Sequence, residues 1–479
     1  MQIRSFAKPE MLALLLALLA SSFSWAQESA PMPPVSPKQS VEQNAEQNAA
    51  PATPPPLTAA EVAEQQKMAI NAYEAGEYMK FVQATMRLRN ARPYEPQYMV
   101  GMVVGGALVG RPKTAYSYMH IMQQQGLSYD FNQTADTESI RSTEVYEYLN
   151  SLLIKAGEPS GTGKAVFDLP KAKNYPEALA WDSSAERFLV GTLEGGNILA
   201  ISKDGKVSTL LSTNKENGLR AIFGLAVDAK RKRLWVSTGA TPVFGKLAEG
   251  ELGKTALLEF DLESLKLLNR FEPPVDKYPH LLGSLALTPE GNVFVLDRAL
   301  PQLFIKPAEG KSLQLYMQNF ELTGLRDLTI SEDGERLYLA DAALGIMVVN
   351  LELNAGGMLV GPNTLNLGGL SGIDYVNGNL YVLQNGITPQ RLQRLELDED
   401  RTSVVSVVPL ASALETFEFP SFARVQGEDV YYFAGSNLQG EREDNFMPVI
   451  MSTPTAPLEG ELTPEQRLIN EKTSIGVKQ

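Results

Sequence analysis

The chain has no cysteine and only two histidines, His120 and His280, among its 479 residues. Without thiols it can form no disulfide, carry no lipid on a cysteine and build no thiolate metal centre. His120, in the helical stretch SYMHIMQ, has no partner at metal-ligand spacing and reads as structural. Walker A, Rossmann GxGxxG, HExxH and GxSxG signatures are all missing. Basic residues are in deficit, 42 Lys+Arg against 56 Asp+Glu, for a net charge of −14. An acidic surface repels phosphates and anionic lipid, so neither nucleic acid nor a membrane surface is an expected partner. Beyond the N-terminal region no apolar run reaches the roughly 20 residues needed to span a bilayer.

The N-terminus has what the rest lacks. Arg4 and Lys8 precede the apolar run MLALLLALLA (11–20), and SSFSWA follows, with Ser24 and Ala26 at −3 and −1 to Gln27. Residues 1–26 therefore read as a cleavable secretory signal, cut after Ala26. The expected location is periplasmic or secreted, with no membrane insertion after cleavage. Removing Arg4, Lys8 and Glu10 takes the net charge to −15. Residues 27–57, rich in Pro, Gln and Ala, read as a disordered tether.

Helical signals begin at Thr58, a candidate N-cap. Glu74-Ala-Gly76-Glu-Tyr78 is answered by Leu108-Val-Gly110-Arg-Pro112, so two turn glycines lie 34 residues apart. Each is followed by a second helix, MKFVQATMRLRNA or KTAYSYMHIMQQQG, and 131–154 reads as a closing helix or partial third unit. In period, turn glycines and Ala115 the segment 58–155 resembles tetratricopeptide repeats, though their Trp is absent. Units of this kind cannot bury their faces alone, which implies that the segment leans on a neighbouring body. GEPSGTG (157–163) reads as a linker.

From 164 to 453 the pattern changes to strands. One template recurs six times: Glu177-ALAWD, Phe223-GLAVD, Gly283-SLALT, Arg326-DLTIS, Ser371-GIDYV and Pro420-SFARV. The intervals are 46, 60, 43, 45 and 49 residues, and most copies continue into a second and a third strand, as in AERFLVGT and NILAISKDG. Such periods signal propeller blades. The longest interval holds an insertion, 239–255, and AVFDL (165–169) is expected to pair into the last blade and close the ring. Residues 454–479 read as a polar tail. The fold class is thus mainly β: a six-bladed β-propeller behind an N-terminal α-helical, tetratricopeptide-like segment.

YPEALAWDSSAERFLVGTLEGGNILAISKDGKV resembles the first blade of the senescence-marker-protein/gluconolactonase/strictosidine-synthase-like superfamily, and LRDLTISEDGERLYLADAALGIMVVNLE is similar to NHL-type repeats. The resemblance implies a propeller and, in the lactonases, a calcium ion held by a Glu, Asn and Asp residues ahead of the innermost strands. Glu177 matches the Glu. The Asn-Asp pair is replaced by Ile222-Phe223, and the later positions by Gly283, Arg326 or Ser371. Calcium asks for six to eight oxygens, so no metal or other cofactor is expected.

The candidate site is the channel mouth, built from Glu177, His280, Arg326 and Ser371 ahead of the innermost strands, with Asp341 and Asn385 on loops of the same face. Glu194, Asp297, Arg298, Gln384, Arg391 and Asp444 share those loops. Glu177 and Arg326 could pair across the channel, and His280 has no identified partner. The expected function is non-catalytic binding or scaffolding, the partner an envelope protein or peptide or a small anionic ligand. The alternative is a lactonase- or esterase-like metal-dependent hydrolase with an atypical site.

Overall fold

The computed structural model describes residues 57–170, 175–319, 321–435 and 448–456. The expected signal, the tether up to Pro56, Asp444 and the tail beyond Ala456 lie outside these residues. No helix among the described residues is long and apolar enough to cross a membrane.

Helix α1 (Ala59–Glu74) begins at the expected cap. The Glu61 N–H donates to the Thr58 hydroxyl, and the Thr58 N–H donates to the Glu61 carboxylate at 2.8 Å. This reciprocal pair satisfies donors that a helix start leaves open. Helix α1 turns at Gly76 (φ +71°) into α2 (Tyr78–Ala91), and α3 (Pro96–Leu108) turns at Gly110 (φ +68°) into α4 (Pro112–Gln124). Both glycines occupy the left-handed region that side chains disfavour, so their 34-residue spacing marks two successive helical hairpins. The stretch read as a closing helix holds two 3-10 turns, Phe131–Gln133 and Ala135–Ile140, before α5 (Glu144–Lys155).

The rest of the described chain is a six-bladed propeller of antiparallel sheets. The innermost strands of blades 1 to 6 are Pro176–Asp182, Ala221–Asp228, Leu282–Leu287, Leu325–Ile330, Leu370–Val376 and Ser421–Gln426. Each blade is covered on both faces by its neighbours, so the second strands, such as Arg187–Thr192 and Val293–Asp297, are buried almost throughout. That is why they read as continuous apolar runs rather than as alternation.

Closure follows the sequence reading: Lys164–Asp168 pairs with Val449–Pro454 and becomes the outer strand of blade 6. The stretch read as a linker does more than connect. Ser160–Gly161 pairs with the edge of blade 5, along Val404–Ser412. Gly161 has φ +77°, and a Cβ there would collide with the Leu410 carbonyl, so glycine is required.

The helical segment docks on the loops of blades 4 and 5. Ile387 enters the helical core beside Met119, Met122 and Phe131, and the ring of Tyr94 packs against the core shared by blades 4 and 5. The Ser128 N–H donates to the Thr388 carbonyl at 2.9 Å. Arg391 is the polar centre of the contact. Its guanidinium donates to the Gln125 carbonyl (2.7 Å), the Asn366 carbonyl (3.3 Å) and Gln384 Oε1 (2.7 Å). All its partners are neutral oxygens, and burial pushes its pKa down to about 10, which leaves it charged at neutral pH. A cation fits here because Gln125 caps α4, whose C-terminal carbonyls carry partial negative charge.

Replacing Arg391 by Leu strands two buried acceptors, the Gln125 carbonyl and Gln384 Oε1, and should cost about 3 kcal/mol in denaturant unfolding while exposing 157–163 to protease. Glu95, on the docked loop between α2 and α3, has its carboxyl pushed up to about 7, chiefly by burial; Arg92 and Gln97 oppose the rise and Asp341 adds to it. In the unfolded chain this group ionises near 4.5, so the folded state loses stability as pH climbs from about 4.5 to about 7 and stays penalised above. Glu95→Gln should therefore stabilise the protein at pH 8 by about 2 kcal/mol and leave it unchanged at pH 4, read from melting curves across pH.

Candidate functional site

The innermost strands of blades 1 to 5 each carry a bulge at the same level. The bulged residues are Glu177, Phe223, Gly283, Arg326 and Ser371, the residues that head the repeated template. A bulge adds one residue to one strand and re-aims its side chain, so a periodic sequence signal becomes a ring of special positions. Blade 6 departs: its bulge lies one pair deeper, at Phe422–Ala423, with Phe422 at φ +57°.

The ring brings some of the expected residues together. Glu177 is 4% exposed and pairs with Arg298 of blade 3, not with Arg326. Arg298 donates through Nη1 to Glu177 Oε1 and lies over the Phe223 ring, 5.4 Å from guanidinium carbon to ring centre. It runs across Gly283, where a Cβ would sit 2.6 Å from Arg298 Cγ. Blade 3 thus reaches blade 1 over the head of blade 2. The Arg326 side chain makes no hydrogen bond or ion pair with the described residues. It is open to solvent yet walled by protein, and that desolvation, with the Arg298 charge beside it, lowers its pKa against the pull of Glu177 and Asp341. Arginine remains charged under such a shift.

Two walls flank this mouth. On one side the docked loop brings Glu95 close enough for the Asp341 carboxylate to act on it. On the other the blade 2 insertion bends over blade 1: Phe244 packs with Tyr175, Leu193 and Phe223, the Gly245 N–H donates to the Glu194 carbonyl, and Arg220 pairs with Glu251 at 2.7 Å.

Other expected residues carry structure. Asp341 is fully buried and accepts the N–H groups of Thr323, Gly324, Ala343 and Leu344. The Ser371 hydroxyl donates to the Leu383 and Pro420 carbonyls, and Asn385 Nδ2 donates to Pro420 as well. Gln384 donates to the Asn366 and Gly368 carbonyls. His280 is not a lone histidine: its Nδ1 lies 2.6 Å from Asp297 Oδ2 and its Nε2 3.2 Å from Asp276 Oδ1. It packs edge-on to Phe304, in the third strand of blade 3.

The sequence reading missed a second charged layer. Thr329, Asp374 and Arg424 stand at equivalent strand positions in blades 4 to 6, where blades 1 to 3 have Ala180, Ala226 and Ala286. Arg424 donates to Asp327 of blade 4 at 3.1 Å, skipping blade 5, and to the Ile373 carbonyl. Asp327 also accepts from the Ser284 hydroxyl and the Ile373 N–H. Burial pushes the Asp374 carboxyl up to about 6, against the nearby Arg424 charge. Asp374 at the template's alanine place was the available signal; Arg424 was hidden, because the alanine place of blade 6 is Ala423 and only the deeper bulge brings Arg424 to the same level.

The mouth does not fit calcium. The one carboxylate of the bulge ring is held by Arg298, Asp341 is taken up by four backbone N–H groups, and the other ring positions offer a phenyl ring, a bare glycine, a guanidinium and a hydroxyl already committed to carbonyls. These cannot supply six or more oxygens.

No protein-family model matches the chain, and no curated protein does. Solved structures with a similar fold include a putative glucose dehydrogenase of Thermus thermophilus, 17% identical over 61% of this chain and 99% of that one, with a TM-score of 0.42. A gluconolactonase of Xanthomonas campestris is 15% identical over 62% of this chain and 94% of its own, TM-score 0.42. A chain of a nidogen/laminin complex is 14% identical over 51% and 84%, TM-score 0.36. If the mouth holds no cation, melting curves in millimolar calcium and in chelator should coincide; a clear upward shift with calcium would reinstate a metal.

Proposed function

We propose that the protein is an exported, non-catalytic binding protein that takes a small anionic ligand at the propeller mouth. The helical hairpins, read as tetratricopeptide-like, form one wall of that site and a scaffold toward an envelope partner. The observation that carries the reading is Arg326. It is a guanidinium with no counterion of its own, held at a bulge between two walls and beside a second arginine already engaged with a carboxylate. An uncommitted cation in partly desolvated surroundings attracts an anion more strongly than one in bulk water. Rigid blades carrying functional loops are a usual way to build such a site.

The test is titration calorimetry of the mature protein with a panel of small carboxylates, beside Arg326→Glu. Charge reversal should abolish binding and leave the melting temperature nearly unchanged, because Arg326 holds no contact on which the fold depends. Binding that survives the reversal would remove the mouth as the site, and an unfolded variant would make Arg326 structural.

A further inference from the structure

We infer that the groove between α4 and α5 is a docking site for the chain's own C-terminal segment, with residues 464–475 lying in it as a helix. The groove holds about 500 Å³ and is lined by Tyr116, Ser117 and His120 of α4 and by Val145, Tyr148 and Leu149 of α5. It exists because the helical array stops halfway through a hairpin. Helix α1 pairs with α2 and α3 with α4, and α2, α3 and α4 are each packed between two other helices. Helix α5 packs on α4, and among the described residues no second helix follows it; the chain passes instead to Ser160–Gly161 on blade 5. The inner row of α5, Tyr146, Leu149 and Leu153, joins the core of α3 and α4. A second apolar row, Val145, Tyr148 and Leu152, runs beside it, and Val145 and Tyr148 are 51% and 60% exposed. The last helix of such an array ordinarily turns a polar face outward, so this row marks a flank that is covered.

The segment that fits the flank lies beyond Ala456. Thr463-Pro464-Glu465-Gln466 supplies an N-cap, a proline at the first helical position and a capping-box glutamine, and Gly476 supplies a stop. The same devices bound the helices of the array: Thr58 with Glu61, Pro96 and Pro112, Gly76 and Gly110. The tail is polar overall, but on a helix Leu468, Ile469 and Ile475 fall within about a third of the circumference, with Glu465 and Lys472 on the same side. The described chain also ends in the right place. The Thr453 hydroxyl donates to the Thr162 carbonyl at 2.9 Å, so the end of blade 6 lies against the stretch that leaves α5. Seven residues lead from Lys155 to Thr162 and seven from Ala456 to Thr463, each able to span about 24 Å. The segment is thus delivered to the C-terminal end of α5 and runs antiparallel to it, as the second helix of a hairpin does. In that direction Glu465 meets Lys155, and Lys472 meets Glu144 and Glu147 in the first turn of α5.

The chain has no cysteine, so paired cysteine substitutions in the mature protein test this cleanly. At micromolar concentration Val145→Cys with Ile475→Cys should be joined within one molecule by a short bis-maleimide, and Val145→Cys with Glu465→Cys should not. Hydrogen exchange of the amides in 467–475 should be slowed by about tenfold or more, since a lone helix of this length is marginal in water. Leu468→Asp and, separately, Tyr148→Ser should each return those amides to the free rate and leave exchange in the propeller unchanged. Cross-links between molecules rather than within one would give the groove to a second copy and overturn the inference. Slow exchange that Leu468→Asp abolishes and Tyr148→Ser leaves intact would put the segment on another surface. Free exchange of 467–475 in the unsubstituted protein would overturn the docking altogether and leave the groove to a partner's helix.

Discussion

Six strands crowd around one axis, and the scarcity of room there governs the rest of the molecule. A Cβ added at Gly224 would lie 2.5 Å from the Gly283 carbonyl, and one at Gly372 would lie 2.6 Å from the Ala423 nitrogen. At that level the inner strands tolerate only residues with nothing to place, or residues that replace packing with hydrogen bonds. Asp327 is the second kind: fully buried, it joins blades 3, 4, 5 and 6 through Ser284, Ile373 and Arg424. Larger groups are displaced upward, and the bulges give them their place. The mouth is thus where the side chains excluded from the axis collect.

This constraint explains why charge appears in two tiers. Glu177–Arg298 and Asp327–Arg424 each skip a blade, joining 1 to 3 and 4 to 6. A pair that skips a blade binds three sheets at once, which neighbouring-blade packing cannot do. Partly buried ion pairs of this kind are costly to desolvate, so their contribution is better read as fixing one arrangement of blades than as adding stability. Arg326 stands apart because no carboxylate pairs with it directly, although Glu177 and Asp341 act on its charge.

Much of the fold was legible because propellers repeat. The template headed by Glu177, Phe223, Gly283, Arg326 and Ser371 marked the innermost strands of blades 1 to 5 and their bulges, since a bulge needs one residue at a fixed offset from the strand. Thr58, and Gly76 with Gly110, were legible for a local reason: caps and left-handed turns act over three or four residues. Partner choice was not legible. Arg298 lies 121 residues from Glu177, and only the path over a bare Gly283 decides that it, rather than Arg326, arrives there. Ser371, Asp341 and Asn385 sit on the expected face, yet their polar atoms go to backbone groups that sequence cannot place. Arg391 was visible only as a loop charge, because its acceptors belong to α4 and to blade 5.

The ring is closed by the pairing of Lys164 with Ser452, residues 288 positions apart. A strand made before any full blade therefore waits for one of the last to be made. Until residues near 450 emerge, blade 6 lacks its third strand, its outer strand has nothing to pair with, and the other blades have no closed circle to press against. A long-range contact of this kind makes folding slow and leaves unpaired sheet edges exposed in the meantime. Synthesis of the helical hairpins is complete well before that point, and their own contacts are local. The chain thus acquires its parts in order but its circle only at the end, and a truncation before residue 449 would remove the latch rather than merely shorten the protein.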